Sequence, residues 1–549
     1  MKYIKYLFLI VLMAATNSCS ELDDQLENPN NINPDKLDAN LLLNKVMVGF
    51  SDFVGEVNER PLELSRQTVE IGGEVYANAY QAEDLDDTWE YAYQNTLVQI
   101  ETLLKAVDGK GLSAHTGISK VLKAYTYLTL VDVFGDVPFT EANRGTEGAA
   151  FFNPKADKGA DIYAGCIAIL DDAIADLALV PVGNVTRDIY YAGSRANWTA
   201  LANTLKLKAY MNLSLSTDVK TKITDLLASN LIDTEGENFT YKYGTASIPA
   251  KSRHPLYSQM YAPTAGEANG YVSNYFLWNL YGRKSVPDPR WRYYVYRQVG
   301  SIEKALDDEP ESVPCVLSPR PDHYNANSGW CSFDPGFFGR DHGNFDGIPP
   351  DGKAITVVGI YPCGGRADLN ENPKYQESTQ SGQGANGGGI IPIWMSCFTD
   401  FVKAEAATRL GTDGDPKTLL LSGIQKSINS VKAFADAKGQ SVPASLVTPT
   451  QDYLDEVEGL YDAAANKMDV IGKEYWLALW GNGIEGYNLY RRTGKPADMQ
   501  PMRAPNPGVF LYSFPYSANF ANLNNTITQK DLTKVNKVFW DTNPDDFVK

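Results

Sequence analysis

The sequence predicts an all-α-dominated body of paired helices, interrupted by one large irregular, loop-rich insertion. Three observations carry this reading. Apolar residues recur at helical spacing through 35–230 and again through 396–500. The connections in the first of these stretches are short, which makes successive helices antiparallel neighbours. Between 231 and 395 the periodicity gives way to Gly, Pro and aromatic residues. With 549 residues the chain exceeds the roughly 250–300 at which a single core stops growing, so a large helical body carrying a big insertion is expected. The body is read as one unit, 35–549.

The elements follow in chain order. Lys2 and Lys5 precede an apolar run over 6–15 and then Thr16-Asn17-Ser18-Cys19, the pattern of an export signal over 1–18 that is too short to span a bilayer. A small residue before a lone Cys looks like a lipoprotein box, with Cys19 as the lipidated first residue. Thr16 stands where a Leu-like residue is commoner, so plain secretory cleavage stays open. Residues 19–34 are polar, with Asn and Pro, and read as a flexible tether. Helices are predicted over 37–54, where Leu43, Val46, Met47, Phe50 and Val54 share a face, and over 84–107, led by Asp84, Asp86 and Asp87 at its positive end. Trp89 in the second falls on the apolar stripe. The stretch 120–134 is apolar except for Lys123, Thr126, Thr129 and Asp132, so this helix is buried nearly all round. Gly135 supplies its stop and Pro138 prevents a restart. Helices 161–179, with Cys166 on the apolar face, and 194–215, with Trp198, complete the first half.

Within 231–395 helical periodicity survives only around 269–281. An excursion this long is not a plain connector, and its many Tyr and Trp argue against disorder because they supply area to bury. Helices resume at 397–410, 416–437, 448–466 and 474–480, the last continuing after Gly481–Gly483 to about 492, and 501–549 reads as a surface-hugging strap.

Composition narrows the chemistry. A net charge of −18 argues against a nucleic-acid backbone as partner. Four His in no motif leave enzyme chemistry without positive support. No catalytic residue and no cofactor is assigned, although 67 acidic residues neither support nor exclude the carboxylate pair of a glycan hydrolase. Gly382, Gly384 and Gly387 match G-x-G-x-x-G without the preceding strand and following helix a dinucleotide site needs, and read as loop. Asp341, Asn344 and Asp346 invite a calcium reading, but Gly343 and Phe345 stand where an EF-type loop wants oxygen ligands. No Cys or His spacing suggests zinc. Cys315, Cys331, Cys363 and Cys397 allow three pairings, and at least one bridge suits an exported chain. The remaining signal is aromatic. Tyr76, Asn78 and Tyr80 lie between two helices, and Trp278, Trp291, Tyr324 and Trp330 lie in the irregular region. Taken singly, each ring reads more readily as local core under a loop. As a set they are the candidate ligand-binding residues, since exposed rings beside amides hold neutral polar polymers such as glycans or peptides.

Several stretches together resemble the SusD/RagB-like family of outer-membrane nutrient-binding lipoproteins. They are NPNNINPDKLDANLLL after the tether, LKAYTYLTLVDVFGDVPFTEA, RANWTALANTLKLKAYMNLS, FTDFVKAEAATRLG and EYWLALWGNGIEGYNLYRRTGKP, followed by FPYSANFANLNN and VFWD. The acidic Glu21, Asp23 and Asp24 after Cys19 likewise resemble the export tag of surface lipoproteins in Bacteroides-like bacteria. The resemblance implies a fold of tetratricopeptide-like helix pairs with an irregular ligand-facing region. It implies a non-enzymatic lid on a SusC-like TonB-dependent transporter that captures oligosaccharides, or in some members peptides, outside the cell. The shared motifs are scaffold residues, so no binding residue is carried over from them.

Overall fold

The computed structural model describes residues 38–73, 75–248, 250–261, 270–308, 319–324, 329–345, 354–373 and 380–548. Cys19 with its signal and tether, Cys315 and Asp346 lie outside the described residues. Helix α1 (Ala39–Val57) is capped by Asp38, whose carboxylate accepts from the N–H groups of Asn40 and Leu41. After α2 (Glu59–Leu64) comes α3, built of three abutting pieces: Asp86–Trp89, a π-helical Glu90–Leu97 and Val98–Val107. Then follow α4 (Ser113–Phe134), α5 (Gly159–Ala178), α6 (Arg195–Leu213) and α7 (Lys220–Leu227). Consecutive partners pack against one another, α1 on α3, α4 on α5 and α5 on α6.

Helix α4 starts seven residues before the predicted 120. Gly117 weakens the local signal, and packing overrides it: a Cβ there would stand 2.7 Å from Leu177 Cγ of α5, so the glycine lets the two helices approach closely. At the other end Gly135 has φ +76° and closes the helix. The turn after it is pinned by Asp157, which accepts from the N–H groups of Phe139 and Thr140 at 2.8 Å.

The insertion has a closed base that sequence reading did not find. Strand β1 (Phe239–Lys242) pairs antiparallel with β4 (Ile390–Trp394), in the register Tyr241↔Ile391 and Lys242↔Ile390, with an irregularity beside Phe239. Between them lie α8 (Pro255–Met260), α9 (Asn274–Tyr281), and a short ribbon of β2 (Val295–Tyr296) with β3 (Val357–Val358). Beyond β4 come α10 (Ser396–Leu410), α11 (Pro416–Ala437), α12 (Thr450–Ala463), α13 (Lys467–Ala478) and α14 (Gly483–Thr493), with α10 packed on α11 and α13. The final stretch carries α15 (Ala518–Leu523). It does more than hug the surface, because Trp540 is fully buried.

Trp540 reaches a polar centre organised by Asp132 of α4. The Asp132 carboxylate, itself fully buried, accepts from Lys208 Nζ (2.9 Å) and Asn212 of α6, Tyr163 of α5, Asn488 Nδ2 (2.9 Å) of α14 and Trp540 Nε1 (3.1 Å). Arg491 donates to the Asp132 carbonyl at 2.7 Å. Next to it Arg492 makes a two-pronged pair with Glu405 of α10, both contacts 2.8 Å, and also donates to Asn212 Oδ1. Burial alone would push the Asp132 carboxyl up, but the Lys208 charge and the surrounding donors hold it below the usual range.

Among the cysteines, Cys331 is disulfide-bonded while Cys166, Cys363 and Cys397 are free and buried. The Gly382–Gly387 stretch is turn and loop that runs into β4, as its flanking sequence predicts.

Candidate functional site

Three chain segments meet on one side of the scaffold: the loop leaving α2, the 321–324 and 329–345 parts of the insertion, and 498–510 beyond α14. At their centre is Arg66, a fully buried residue held at φ +59°. Its guanidinium donates to the Gln500 carbonyl (3.0 Å), the Glu63 and Leu64 carbonyls and the Tyr76 hydroxyl (2.6 Å). Left-handed backbone at a non-glycine residue stores strain, and here four hydrogen bonds hold it.

His342 sits between the two tyrosines of the first loop. Its ring lies 6.1 Å from Tyr76 and stacks at 6.3 Å on Tyr80. The Glu70 N–H approaches Nδ1 at 3.4 Å, so Nδ1 is the acceptor and Nε2 is left facing the Tyr80 hydroxyl at 3.4 Å. Burial, reinforced by the Arg66 charge, holds this imidazole well below its ordinary pKa and therefore neutral. Gly343 follows at φ +74°, where a Cβ would meet Met502 Cε at 2.6 Å, so only glycine lets the loop close on 502.

Asp341 closes the cluster from below. Its oxygens accept from Asn274 Nδ2 (3.0 Å), Tyr324 Oη (3.1 Å) and Gln500 Nε2 (3.1 Å). Burial raises this carboxyl above the ordinary range in spite of those donors. Of the residues that suggested calcium, Asp341 thus has both carboxylate oxygens committed to protein donors. Tyr324 meets Trp330 edge-on at 5.8 Å, and the Arg503 guanidinium lies 5.6 Å from the Trp330 ring. The loop before Trp330 presses on Trp278: a Cβ on Gly329 would be 2.9 Å from Trp278 Cγ. Phe333 meets the Trp278 ring edge-on at 5.5 Å, and the Trp278 indole N–H is buried without a hydrogen-bond partner.

The structure therefore brings Tyr76, Tyr80, Tyr324, Trp330 and Trp278 into one contiguous cluster and divides the candidates by exposure. Asn78 is exposed, and Trp278 and Trp330 are half-buried. Tyr76, Tyr80 and Tyr324 are buried supports that offer no open ring face. Trp291 sits elsewhere. It is 3% exposed, wedged between Tyr281 and Phe337, with the guanidinium groups of Arg292 and Arg297 4.4 and 4.9 Å from its ring. Both arginines are pinned by the buried Asp368. Trp291 is packing, as the core reading of a single ring has it. Sequence reasoning missed Arg66, His342 and Arg503, and also Phe345, which is 58% exposed on the same loop as His342. Only Phe345 could have been found, as one more loop aromatic. The others depend on partners far along the chain, Arg66 on Gln500, His342 on Tyr80 and Arg503 on Trp330.

A family described as SusD-like, starch-binding and associating with the outer membrane matches residues 29–309 and 356–516. Among solved structures, a SusD/RagB family protein from Bacteroides thetaiotaomicron is 17% identical with a TM-score of 0.66, over 93% of this chain and 100% of that one. A chitin-binding SusD homologue from Flavobacterium johnsoniae is 16% identical with a TM-score of 0.61, over 91% and 99%. A chitin-binding protein is 18% identical with a TM-score of 0.63, over 93% and 100%. At these identities the structures establish the fold. No curated protein matches the sequence. Among the described residues no helix is long and apolar enough to cross a membrane. The family match spans most of the chain and its fold is that of the SusD/RagB structures, so the protein belongs to the SusD-like family associated with the outer membrane.

Proposed function

We propose that the protein is a non-enzymatic cell-surface lipoprotein that captures oligosaccharides at the Trp278–Trp330 loop cluster and delivers them to a SusC-like TonB-dependent transporter, for which it acts as a lid. The observation that carries this reading is the gap in the family match. Residues 310–355 fall outside it, and this segment holds Tyr324, Trp330, Asp341, His342 and Phe345. A scaffold shared across a family with an unshared aromatic segment mounted on it is the arrangement expected of one binding mode adapted to different ligands. Asn78, Trp278, Trp330 and Phe345 combine open ring surface with an amide, which suits a neutral sugar chain. A committed Asp341 and a neutral, buried His342 support binding without proton transfer. Lipid attachment at Cys19 would hold the protein on the outer membrane, facing outward.

Calorimetric titration with a panel of neutral oligosaccharides and short peptides tests the reading. Binding without product formation is expected. Sustained turnover of the sugar, or binding of peptides alone, would replace it. For the anchor, Cys19→Ala should move the protein out of the membrane fraction, and unchanged fractionation defeats the lipid assignment.

A further inference from the structure

A cavity of about 340 Å³ opens between α3, the loop 138–154 and α15, and is distinct from the loop cluster. Its back wall is a tier of rings. Trp89 stacks on Tyr93 at 5.2 Å and on Phe520 at 4.5 Å, and meets Phe134 and Tyr516 edge-on. Phe152 stands at the mouth, 66% exposed.

The walls are fixed by hydrogen bonds rather than by apolar contact alone. Asp86 accepts from Ser517 Oγ and the Asn519 N–H, Tyr93 Oη donates to the Pro138 carbonyl at 2.9 Å, and Asn524 Nδ2 donates to the Pro154 carbonyl at 2.8 Å. The three walls are thus held open before anything binds, which lowers the ordering cost of a ligand. The π-helical turn of α3 lies along the same wall, an irregularity frequent at functional sites.

Among the described residues, several polar groups in and around the cavity make no hydrogen bond to protein. The Trp89 indole N–H is buried with none. The side-chain amides of Gln94, Asn143 and Asn519, which all line the cavity, make no hydrogen bond within the described residues; Gln94 and Asn519 are exposed and Asn143 half-buried, so an occupant would cover them. Asn143 is also held at φ +58°. An apolar protein segment would leave these amides unpaired, whereas a polyhydroxylated ligand satisfies them. Asp86 and Glu90 contribute the charge and no lysine or arginine lines the space, so an anionic ligand is repelled. The volume lies at the low end of the range of about 300–1,000 Å³ for small-molecule pockets, which fits a short stretch of chain.

We infer that this cavity is a second sugar-binding site, which takes a short stretch of a neutral oligosaccharide against Phe152 and the half-buried Phe520, with the buried Trp89 as backing. The inference rests on the glycan-binding reading above but names a different place. The test is titration of the full chain and of its Phe152→Ala, Asn519→Ala and Trp330→Ala variants with maltohexaose, cellohexaose and chitohexaose. At least one sugar should show two classes of site. Phe152→Ala should lower the affinity of one class by about tenfold with unchanged melting temperature, Asn519→Ala should weaken the same class, and Trp330→Ala should remove only the other.

Full retention of both classes in Phe152→Ala, or a single class lost entirely in Trp330→Ala, overturns the second site and leaves the first standing. A class that survives Trp330→Ala unchanged and falls with Phe152→Ala supports this site even if the loop cluster fails. Silence with all three sugars overturns both. A Phe152→Ala protein that binds sugars normally but loses a membrane protein partner overturns the site in favour of a protein contact.

Discussion

Trp291 and Trp330 look alike in the sequence, each a tryptophan in a loop-rich stretch, and their surroundings separate them. Trp291 is enclosed by two arginines and two rings, so Trp291→Ala removes a packed side chain and should cost about 3–5 kcal/mol, read as a lower urea midpoint. Trp330 retains open surface. Trp330→Ala should leave the melting temperature nearly unchanged while weakening sugar binding, and the reverse pattern would return Trp330 to the core. His254 gives a pH prediction. Its ring caps α8 by accepting from the Leu256 N–H at 3.2 Å, and burial lowers its pKa from 6.5 to about 3. The neutral form is the folded form, so its contribution is complete above pH 6.5 and is lost as pH falls toward 3, by up to about 1.4 kcal/mol per pH unit. Glu63 runs the other way: burial, with Glu59 and Glu70 nearby, raises it to about 8 against the pull of Arg60, so its contribution is present below 4.5 and fades as pH rises through 8. Urea unfolding at pH 7 and pH 5 should show a shallower acid loss in His254→Gln, and an identical slope would remove His254 from the account.

At the scale of elements, what the sequence revealed depended on whether the signal was local. Helices α1, α4, α5, α6, α10 and α11 were legible because each carries its apolar face in consecutive turns. Their ends were less so, because packing decides them, as Gly117 and Leu177 decide the start of α4. Substitution of Gly117 by Ala puts a methyl group into that contact, 3.0 Å from the Ala173 carbonyl as well, and should destabilise by about 1–3 kcal/mol despite alanine's better helix propensity. A more stable Gly117→Ala protein in chemical unfolding would show that α4 and α5 can separate without penalty. Strands β1 and β4 were not legible. Each is four or five residues long, their partners are some 150 positions apart, and Pro392 argues against a strand until it is seen in a two-stranded ribbon with open edges. The same distance hid the candidate site. The rings at 76, 80, 324 and 330 could be seen, but the residues that gather them, Gln500, Met502 and Arg503, sit in a tail with no periodic signal.

Over the whole molecule, five of the seven stretches that carried the family resemblance converge on one place. Asp132 comes from the 120–134 helix, Lys208 and Asn212 from the Trp198 helix, Glu405 from the Ala-Glu-Ala helix, Arg491 and Arg492 from the Arg-Arg-Thr-Gly segment and Trp540 from VFWD. These motifs are recognisable because each supplies a group that buried charge elsewhere requires. Asp132→Ala leaves Lys208 with Glu485 alone, at 2.8 Å, strands the other donors in a dry interior and should destabilise by about 3–5 kcal/mol, measured by calorimetry. A change below 1 kcal/mol would mean that water reaches the site.

The seating of Trp540 on Asp132 also sets an order of events in time. Helix α4 is made early, and its carboxylate lacks one of its donors until some four hundred further residues have left the ribosome. Until then the interior of the helical body holds a polar group without its full set of partners, which weighs against compaction. The last hydrogen bond of the Asp132 centre is therefore made only once the strap over 501–549 is in place, so the strap closes the helical body as well as covering it.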